Sequence, residues 1–167
     1  MRWTISCLIG IAGLFVILGP AAGADWNEIR PQVTGEPEIL SKFGSPDEIV
    51  VTFPWQEWSA KWKKRPRASY YTFRYQHESP SSLLTGPGGQ ADSAEVEIGD
   101  GKVMIVRWLY GGPSARAAAA RIRADTTMKP SGSEGTVQYL AKEVTGGWVS
   151  VEIGPRDAEV KVTLQLK

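Results

Sequence analysis

Residues 33–51, VTGEPEILSKFGSPDEIVV, combine a short helix, its C-terminal stop and the start of a strand. Thr34 or Gly35 can cap the helix, and the glutamates of the first turn suit the helix dipole. The residues that form its apolar stripe and its stop are Ile39, Leu40, Phe43, Gly44 and Pro46. A helix of about two turns is marginal alone, so this one is expected to pack on the sheet that follows it.

The rest of the chain predicts an α+β fold: a short helix plus antiparallel strands, then a second helix plus three antiparallel strands, packed as one domain. The two sub-units span about 33–110 and 111–167. The predicted strands are 47–53, 68–76, a hairpin over 94–110, and then 136–144, 148–153 and 158–166. The second helix follows Gly111-Gly112-Pro113-Ser114, and its arginines are expected to face solvent: Arg116, Arg121 and Arg123. Segments 79–93 and 129–135 are predicted to be loops, the first either mobile or a contact surface.

The second arm of the hairpin has two apolar faces. Alternation places Val103, Ile105 and Leu109 on one face. The opposite face carries Met104, Val106 and Trp108. This strand is therefore expected to be central and covered on both sides.

The first 24 residues are typical of a cleaved secretory signal. A positive charge at Arg2 precedes an apolar run of 14 residues (5–18), and small residues stand before a cleavage site after Ala24. The run is shorter than the roughly 20 residues that span a bilayer, although an uncleaved anchor is the alternative. These features predict an exported, periplasmic or secreted protein, with a mature chain of residues 25–167 that could lie peripherally on a membrane.

The mature chain has no cysteine, because Cys7 lies within the predicted signal. It would therefore be held together by its core rather than by disulfides, and its length suits a single domain. Without Arg2, the 19 basic residues become 18 and equal the 18 acidic residues. A neutral protein has no global field that attracts nucleic acid.

The helix stop resembles that of a known family. Ile39-Leu40-Ser41-Lys42-Phe43-Gly44-Ser45-Pro46-Asp47 is similar to the V-L-x-x-L-G-x-P-D pattern of the small outer-membrane β-barrel assembly lipoproteins (BamE, SmpA/OmlA) and of the related β-lactamase-inhibitor-like fold. The aromatic strand at 70–75 and the turn Asp100-Gly101-Lys102-Val103 occupy the corresponding later places. The resemblance spans about 35–110 and implies an envelope scaffold that binds protein and lipid headgroups without catalysis. The insertion at 54–67 and the second unit depart from the pattern.

One segment, the Trp/basic segment 54–67 (PWQEWSAKWKKRPR), is the candidate binding site. Its residues are Trp55, Trp58, Lys61, Trp62, Lys63, Lys64, Arg65 and Arg67, and Glu57 is its one acid. On a short helix the three tryptophans would share one side, with the cations crowding its end. Tryptophans beside cations suit an anionic membrane surface or a protein interface.

Other interpretations of this segment stay open at this point. The tryptophans could belong to the core and the cations to a solvated loop, because aromatic residues at helical spacing are usually core. Saccharide stacking is also compatible with them. Single-stranded nucleic acid is chemically conceivable, but an exported location argues against it.

Catalytic and metal-binding patterns are weak. His77, beside Glu78, has no second histidine or cysteine with which to bind a metal. Around Ser79, Ser81 and Ser82 the sequence signals no base, orienting acid or oxyanion hole for nucleophilic catalysis. The acids near the hairpin do not have Ca²⁺-loop spacing, and two of them are expected on the wet face of a strand: Asp92, Glu95, Glu97 and Asp100. We expect no catalytic residue, cofactor or metal.

The function predicted from these features is a non-enzymatic envelope binding or scaffold protein. It would associate with a membrane protein complex or an anionic surface through residues 54–67, and with no nucleic acid. The alternative is a proteinaceous inhibitor or soluble accessory subunit of a secreted enzyme. A hydrolase using His77 and Glu78 is the third hypothesis.

Overall fold

A computed structural model describes residues 25–53, 56–61, 70–76 and 81–166, with the backbone alone for 52, 53 and 56–61. The predicted secretory signal therefore lies outside the described residues. The fold is α+β, as the sequence predicts. The helices are α1 Glu36–Phe43 and α2 Gly112–Ala124, with short 3-10 helices at Trp26–Glu28, Ser82–Leu84 and Pro155–Asp157.

The described strands form a nine-stranded sheet and a separate two-stranded ribbon, and all pairings are antiparallel. The nine strands follow the order β2-β1-β3-β6-β7-β11-β10-β9-β8, and β4 pairs with β5. Their bounds are β1 Glu48–Phe53, β2 Gln56–Lys61, β3 Tyr70–Gln76, β4 Thr85–Gly86, β5 Gly89–Gln90, β6 Ser93–Gly99, β7 Lys102–Gly111, β8 Lys129–Glu134, β9 Val137–Val144, β10 Gly147–Ile153 and β11 Glu159–Gln165.

The chain contains two units, each a helix followed by strands that are neighbours in the sheet. Five described strands of the sheet follow α1, in the order β2-β1-β3-β6-β7, and four follow α2, in the order β11-β10-β9-β8, and the two sets join where β7 pairs with β11. The prediction of three strands after the second helix was wrong. The segment predicted as the 129–135 loop contains β8, whose six residues are all exposed and so carry no alternating pattern.

The core lies on one face of the sheet, beneath both helices. The strand registers align one buried residue from each of six adjacent strands: Ile49, Phe73, Val96, Val106, Leu164 and Val149. α1 contacts this face through Tyr71, whose hydroxyl donates to Glu36, and through Tyr75, whose hydroxyl donates to the Gly44 carbonyl. α2 packs its small side chains on β7 and β11.

α1 confirms the prediction made from its sequence. Gly35 is its N-cap, and Ile39 and Phe43 are buried. Gly44 ends the helix with a φ of 83°, a conformation that costs glycine little because it has no Cβ. The predicted outward position of the arginines on α2 is also confirmed.

The prediction that β7 is covered on both faces was wrong, although the strand is central. A register shift after Glu97 pairs Ile98 with Val103 and moves Val103 onto the face of Val106. A bulge of this kind inserts one residue and reverses the alternation. Tyr110 is buried on the same face, while Leu109 on the opposite face is only half-buried.

The segment predicted as a loop at 79–93 is packed into the core over its described part. Leu83 and Leu84 are buried, and Trp108 donates its indole N–H to the Leu83 carbonyl at 2.7 Å. The amide N–H of Gly88 donates to the Tyr110 hydroxyl at 3.1 Å. Gly86 and Gly88 leave room for the rings of Trp108 and Tyr110, which approach their backbone closely.

Candidate binding surface

The Trp/basic segment 54–67 contains the outermost strand on one side of the sheet. Trp58 and Lys61 lie in β2, so the helix predicted for this segment is replaced by a strand over Gln56–Lys61. A strand has a period of two, so the helical argument for a shared tryptophan face does not apply there. The remaining predicted site residues lie outside the described residues: Trp55, Trp62, Lys63, Lys64, Arg65 and Arg67.

β1 and β2 form a hairpin in uninterrupted register. The pairs run from Glu48 with Lys61 to Phe53 with Gln56, so that only Pro54 and Trp55 connect the two strands. Only Glu48–Val50 of β1 pair with β3 among the described residues. Continued along both strands, this register sets Val51 and Thr52 level with Tyr71 and Tyr70, so the hairpin connection lies at the end of the sheet that contains the β6–β7 turn.

Exposed apolar side chains occur at this same end of the sheet. Val33 is 69% exposed, beside the turn where Thr34 accepts the Val103 N–H. Tyr70, 62% exposed, begins β3 and donates its hydroxyl to Asp100 at 3.3 Å. Leu166 is 42% exposed after β11.

The sheet face opposite the helices carries paired charges. Arg74 donates to Glu48 at 2.9 Å and to Glu95 at 3.1 Å, and Arg107 donates to Glu97 at 3.0 Å. Partial burial lowers the pKa of Arg74, but hydrogen bonds and charge from the two glutamates raise it more, so that it lies above its ordinary value. These charged groups are paired by hydrogen bonds, and their positions confirm that Glu95 and Glu97 lie on the solvent-facing side of β6.

The other acids of the hairpin region also have structural contacts. Asp92 accepts from the Gly111 N–H at 2.6 Å and from the Ser114 hydroxyl at 2.8 Å, which caps α2 from outside the helix. Asp100 accepts from Tyr70. In the part of the chain that the structure describes, no group of three or more His, Cys, Asp or Glu side chains could hold a metal.

Only two of the residues considered for catalysis, Ser81 and Ser82, lie within the described residues. His77, Glu78 and Ser79 lie outside the described residues. Ser81 donates to the Phe43 carbonyl at 2.7 Å and accepts from Leu83, so it caps the 3-10 helix that follows. This contact is structural.

A cleft of about 340 Å³ lies at the end of the sheet opposite to the connection between β1 and β2. Its polar lining includes Asp92, Glu152, Glu159 and Lys161. Asp92 is engaged in capping α2, and Glu152 accepts from Lys161 at 3.4 Å. The cleft is thus separate from the Trp/basic segment.

Sequence reasoning missed the buried Glu36, which accepts from Tyr71 beneath α1. A glutamate in the first turn is usually explained by the helix dipole, and its tyrosine partner lies 35 residues away. No local pattern reveals such a long-range pair.

No helix in the described ranges is long and apolar enough to cross a membrane. Comparisons with family models, curated proteins and solved structures gave no match for this chain. The resemblance of 35–110 to the outer-membrane assembly lipoproteins stays a prediction.

Proposed function

We propose that this chain is a non-enzymatic, exported binding or scaffold protein of the cell envelope. It associates through the Trp/basic segment 54–67 with a membrane-associated protein complex or an anionic envelope surface. Tryptophan supplies contact area and the cations supply attraction to negative charge. Its action requires no cofactor or metal.

The position of β2 carries this proposal. The strand is outermost in the described sheet, so Trp58 and Lys61 lie in an edge strand rather than in the middle of the fold. The hairpin connection at Pro54 and Trp55 lies at the end where Val33 and Tyr70 are exposed. The register places Lys61, which begins the basic run of the sequence, opposite Glu48 at the other end of β2.

The polar contacts support a structural rather than a catalytic use of the described acids and bases. Arg74, Arg107 and Asp92 each bond to other parts of the fold. The described residues include no buried side-chain nitrogen or oxygen that lacks a hydrogen-bond partner. Catalytic sites typically direct hydrogen-bond donors at the substrate rather than at other parts of the protein.

The test is binding of the purified protein to washed native envelope membranes. Replacing Trp55, Trp58 and Trp62 together by serine should abolish association, with the circular dichroism spectrum and thermal midpoint retained. Replacing Lys61, Lys63 and Lys64 by glutamine should weaken binding and reduce its salt dependence.

The matched control replaces the exposed Arg116 and Arg121 of α2 by glutamine, which should leave binding unchanged. Loss of the fold in the tryptophan variant would show that these residues are core. One-to-one inhibition of a secreted enzyme without lipid dependence would favour the inhibitor hypothesis instead.

A further inference from the structure

The open face of the sheet, opposite the helices, differs between the two units. In the first unit its charged side chains are paired, as in the contact between Arg74 and Glu95. In the second unit a row of small side chains crosses three neighbouring strands, because Thr163 pairs with Ser150 and Ser150 pairs with Ala141. Longer side chains lie on both sides of this row, so the small residues form the floor of a depression.

This depression is a pocket of about 290 Å³. Its lining comes from five adjacent strands, β7, β11, β10, β9 and β8, with Thr163 and Ser150 on the central two. Glu152 and Lys161 line this pocket and also the cleft of about 340 Å³. The pocket and the cleft therefore adjoin, and together they form an elongated groove.

The uncharged polar side chains of the pocket are available to a ligand. Among the described residues, no hydrogen bond is made by the side chains of Ser150, Thr163 or Gln165. Serine and threonine hydroxyls both donate and accept, and so does the glutamine amide. A small number of converging polar groups is what fixes the orientation of a ligand in a pocket.

The charges of the pocket favour an uncharged ligand. Arg107 donates to Glu97 at 3.0 Å, and Lys161 donates to Glu152 at 3.4 Å. Each cation thus has an acid beside it, so the pocket lacks the excess of positive charge that attracts an anion. A purely apolar ligand also fits poorly, because it would remove water from the floor hydroxyls without replacing their hydrogen bonds.

Two half-buried aromatic residues border the floor on opposite sides. Trp148 lies two residues before Ser150 in β10, on the same face of the sheet, and pairs with Gln165. Tyr139 lines the pocket on the other side, where it pairs with Glu152. A sugar ring has a face of C–H groups that packs on an aromatic ring, and hydroxyls on its rim that donate and accept hydrogen bonds. Aromatic borders around a floor of hydroxyls match both features.

We propose that the open face of β11, β10 and β9 binds an uncharged saccharide chain. The hydroxyls of Ser150 and Thr163 bond to sugar hydroxyls, and the rings of Trp148 and Tyr139 pack on the faces of sugar units. The elongated groove suits a chain of several units rather than a single sugar. This site goes beyond the proposed function, because no described lining residue belongs to the Trp/basic segment 54–67.

The test is an NMR titration of the purified protein with a fixed set of uncharged oligosaccharides: cellohexaose, maltohexaose, mannohexaose and N-acetylchitohexaose. At least one should bind with a Kd in the millimolar range or tighter. It should shift the indole N–H of Trp148 together with the backbone N–H groups of Ser150 and Thr163. The Kd should not depend on salt, because no charge is neutralised on binding.

Thr163→Val removes one floor hydroxyl at nearly constant volume, and Ser150→Ala removes the other. Each should weaken binding by about two- to tenfold, the effect of one lost hydrogen bond, while the thermal midpoint is retained. Thr72→Val is the matched control, since Thr72 lies on the same face of the sheet but outside the pocket. This control should leave the Kd unchanged.

The inference is overturned if none of these oligosaccharides binds, or if binding shifts only N–H groups outside β9, β10 and β11. Equal weakening by Thr163→Val and Thr72→Val would also overturn it. Tighter, salt-dependent binding of polygalacturonate would assign the pocket to an anion instead, and dimerisation through this face would assign it to a second copy of the chain. None of these outcomes affects envelope binding by residues 54–67, which the tryptophan variant tests separately.

Discussion

Trp108 donates its indole N–H to the carbonyl oxygen of Leu83 at 2.7 Å, and both side chains are fully buried. The bond joins the central strand β7 to the segment that leads into the β4–β5 ribbon. Trp26 meets the same indole edge-to-face, with ring centroids 5.7 Å apart. Trp108 thus connects three parts of the fold: the N-terminal 3-10 helix, the segment before the ribbon and the sheet.

Gly86 should tolerate no side chain, because a Cβ there would lie 2.6 Å from two ring carbons of Trp108. We expect Gly86→Ala to lower the free energy of unfolding by about 1–3 kcal/mol through overpacking. Urea denaturation measures the loss. Gly132→Ala is the control, since nothing lies within 4 Å of its Cβ position. Equal stability of the two variants would contradict this packing.

Tyr110→Phe should destabilise the fold by about 1–3 kcal/mol, because the buried N–H of Gly88 loses its acceptor. Burial raises the pKa of Tyr110 to about 12 from an ordinary value of 10.0. The neutral phenol therefore contributes stability that is fully present below pH 10 and is lost as pH rises towards 12. The variant should show a smaller alkaline loss in urea titrations, and an unchanged alkaline profile would contradict the role of this hydroxyl.

Acid should weaken the contact between Asp125 and Lys142, whose atoms lie 2.7 Å apart. Hydrogen bonds from Lys142 and then from Thr127 lower the pKa of Asp125 from 3.8 to about 2. This stabilisation is fully present above pH 3.8 and is lost as pH falls towards 2. Lys142→Met should make unfolding between these pH values less steep, as followed by circular dichroism. The prediction fails if both proteins unfold with the same acid profile.

The turn before β11 stores backbone strain at Arg156, whose φ is 54°, and at Asp157, whose φ is also 54°. Arg123 holds the turn through two hydrogen bonds of 2.7 Å to the Asp157 carboxylate. Glycine adopts this left-handed conformation freely, so Arg156→Gly should stabilise the protein by about 0.5–1 kcal/mol.

Thermal unfolding measures this effect. Arg116→Gly, at an exposed position within α2, should instead destabilise by about 1 kcal/mol. A loss of stability on Arg156→Gly would show that its side chain contributes more than the strain costs.

The sequence was informative where local chemistry and burial agree. Ile39 and Phe43 lie on one helical stripe, and Val160, Val162 and Leu164 alternate with polar residues in β11, so these elements were predictable. In both α1 and β11, one face packs against the core, so apolar residues recur at the period of the element. No bulge interrupts either pattern.

The errors arose where long-range contacts decide the structure. The glycines at 86 and 88 resemble loop residues, but they are small because the rings of Trp108 and Tyr110 approach their backbone. β8 has no buried side chain, so its pairing with β9 leaves no pattern in the sequence. The tryptophan spacing in 54–67 matched a helix, but β2 forms by pairing with β1.

The most direct test of the central claim is affinity isolation of the tagged protein from gently solubilised native envelope, compared with the Trp55, Trp58 and Trp62 serine variant. Our account predicts that a stoichiometric membrane-associated complex is recovered with the unmodified protein and is lost with the folded variant. Recovery of the same complex by both proteins, or of the protein alone, would contradict the assignment of residues 54–67 as the binding surface.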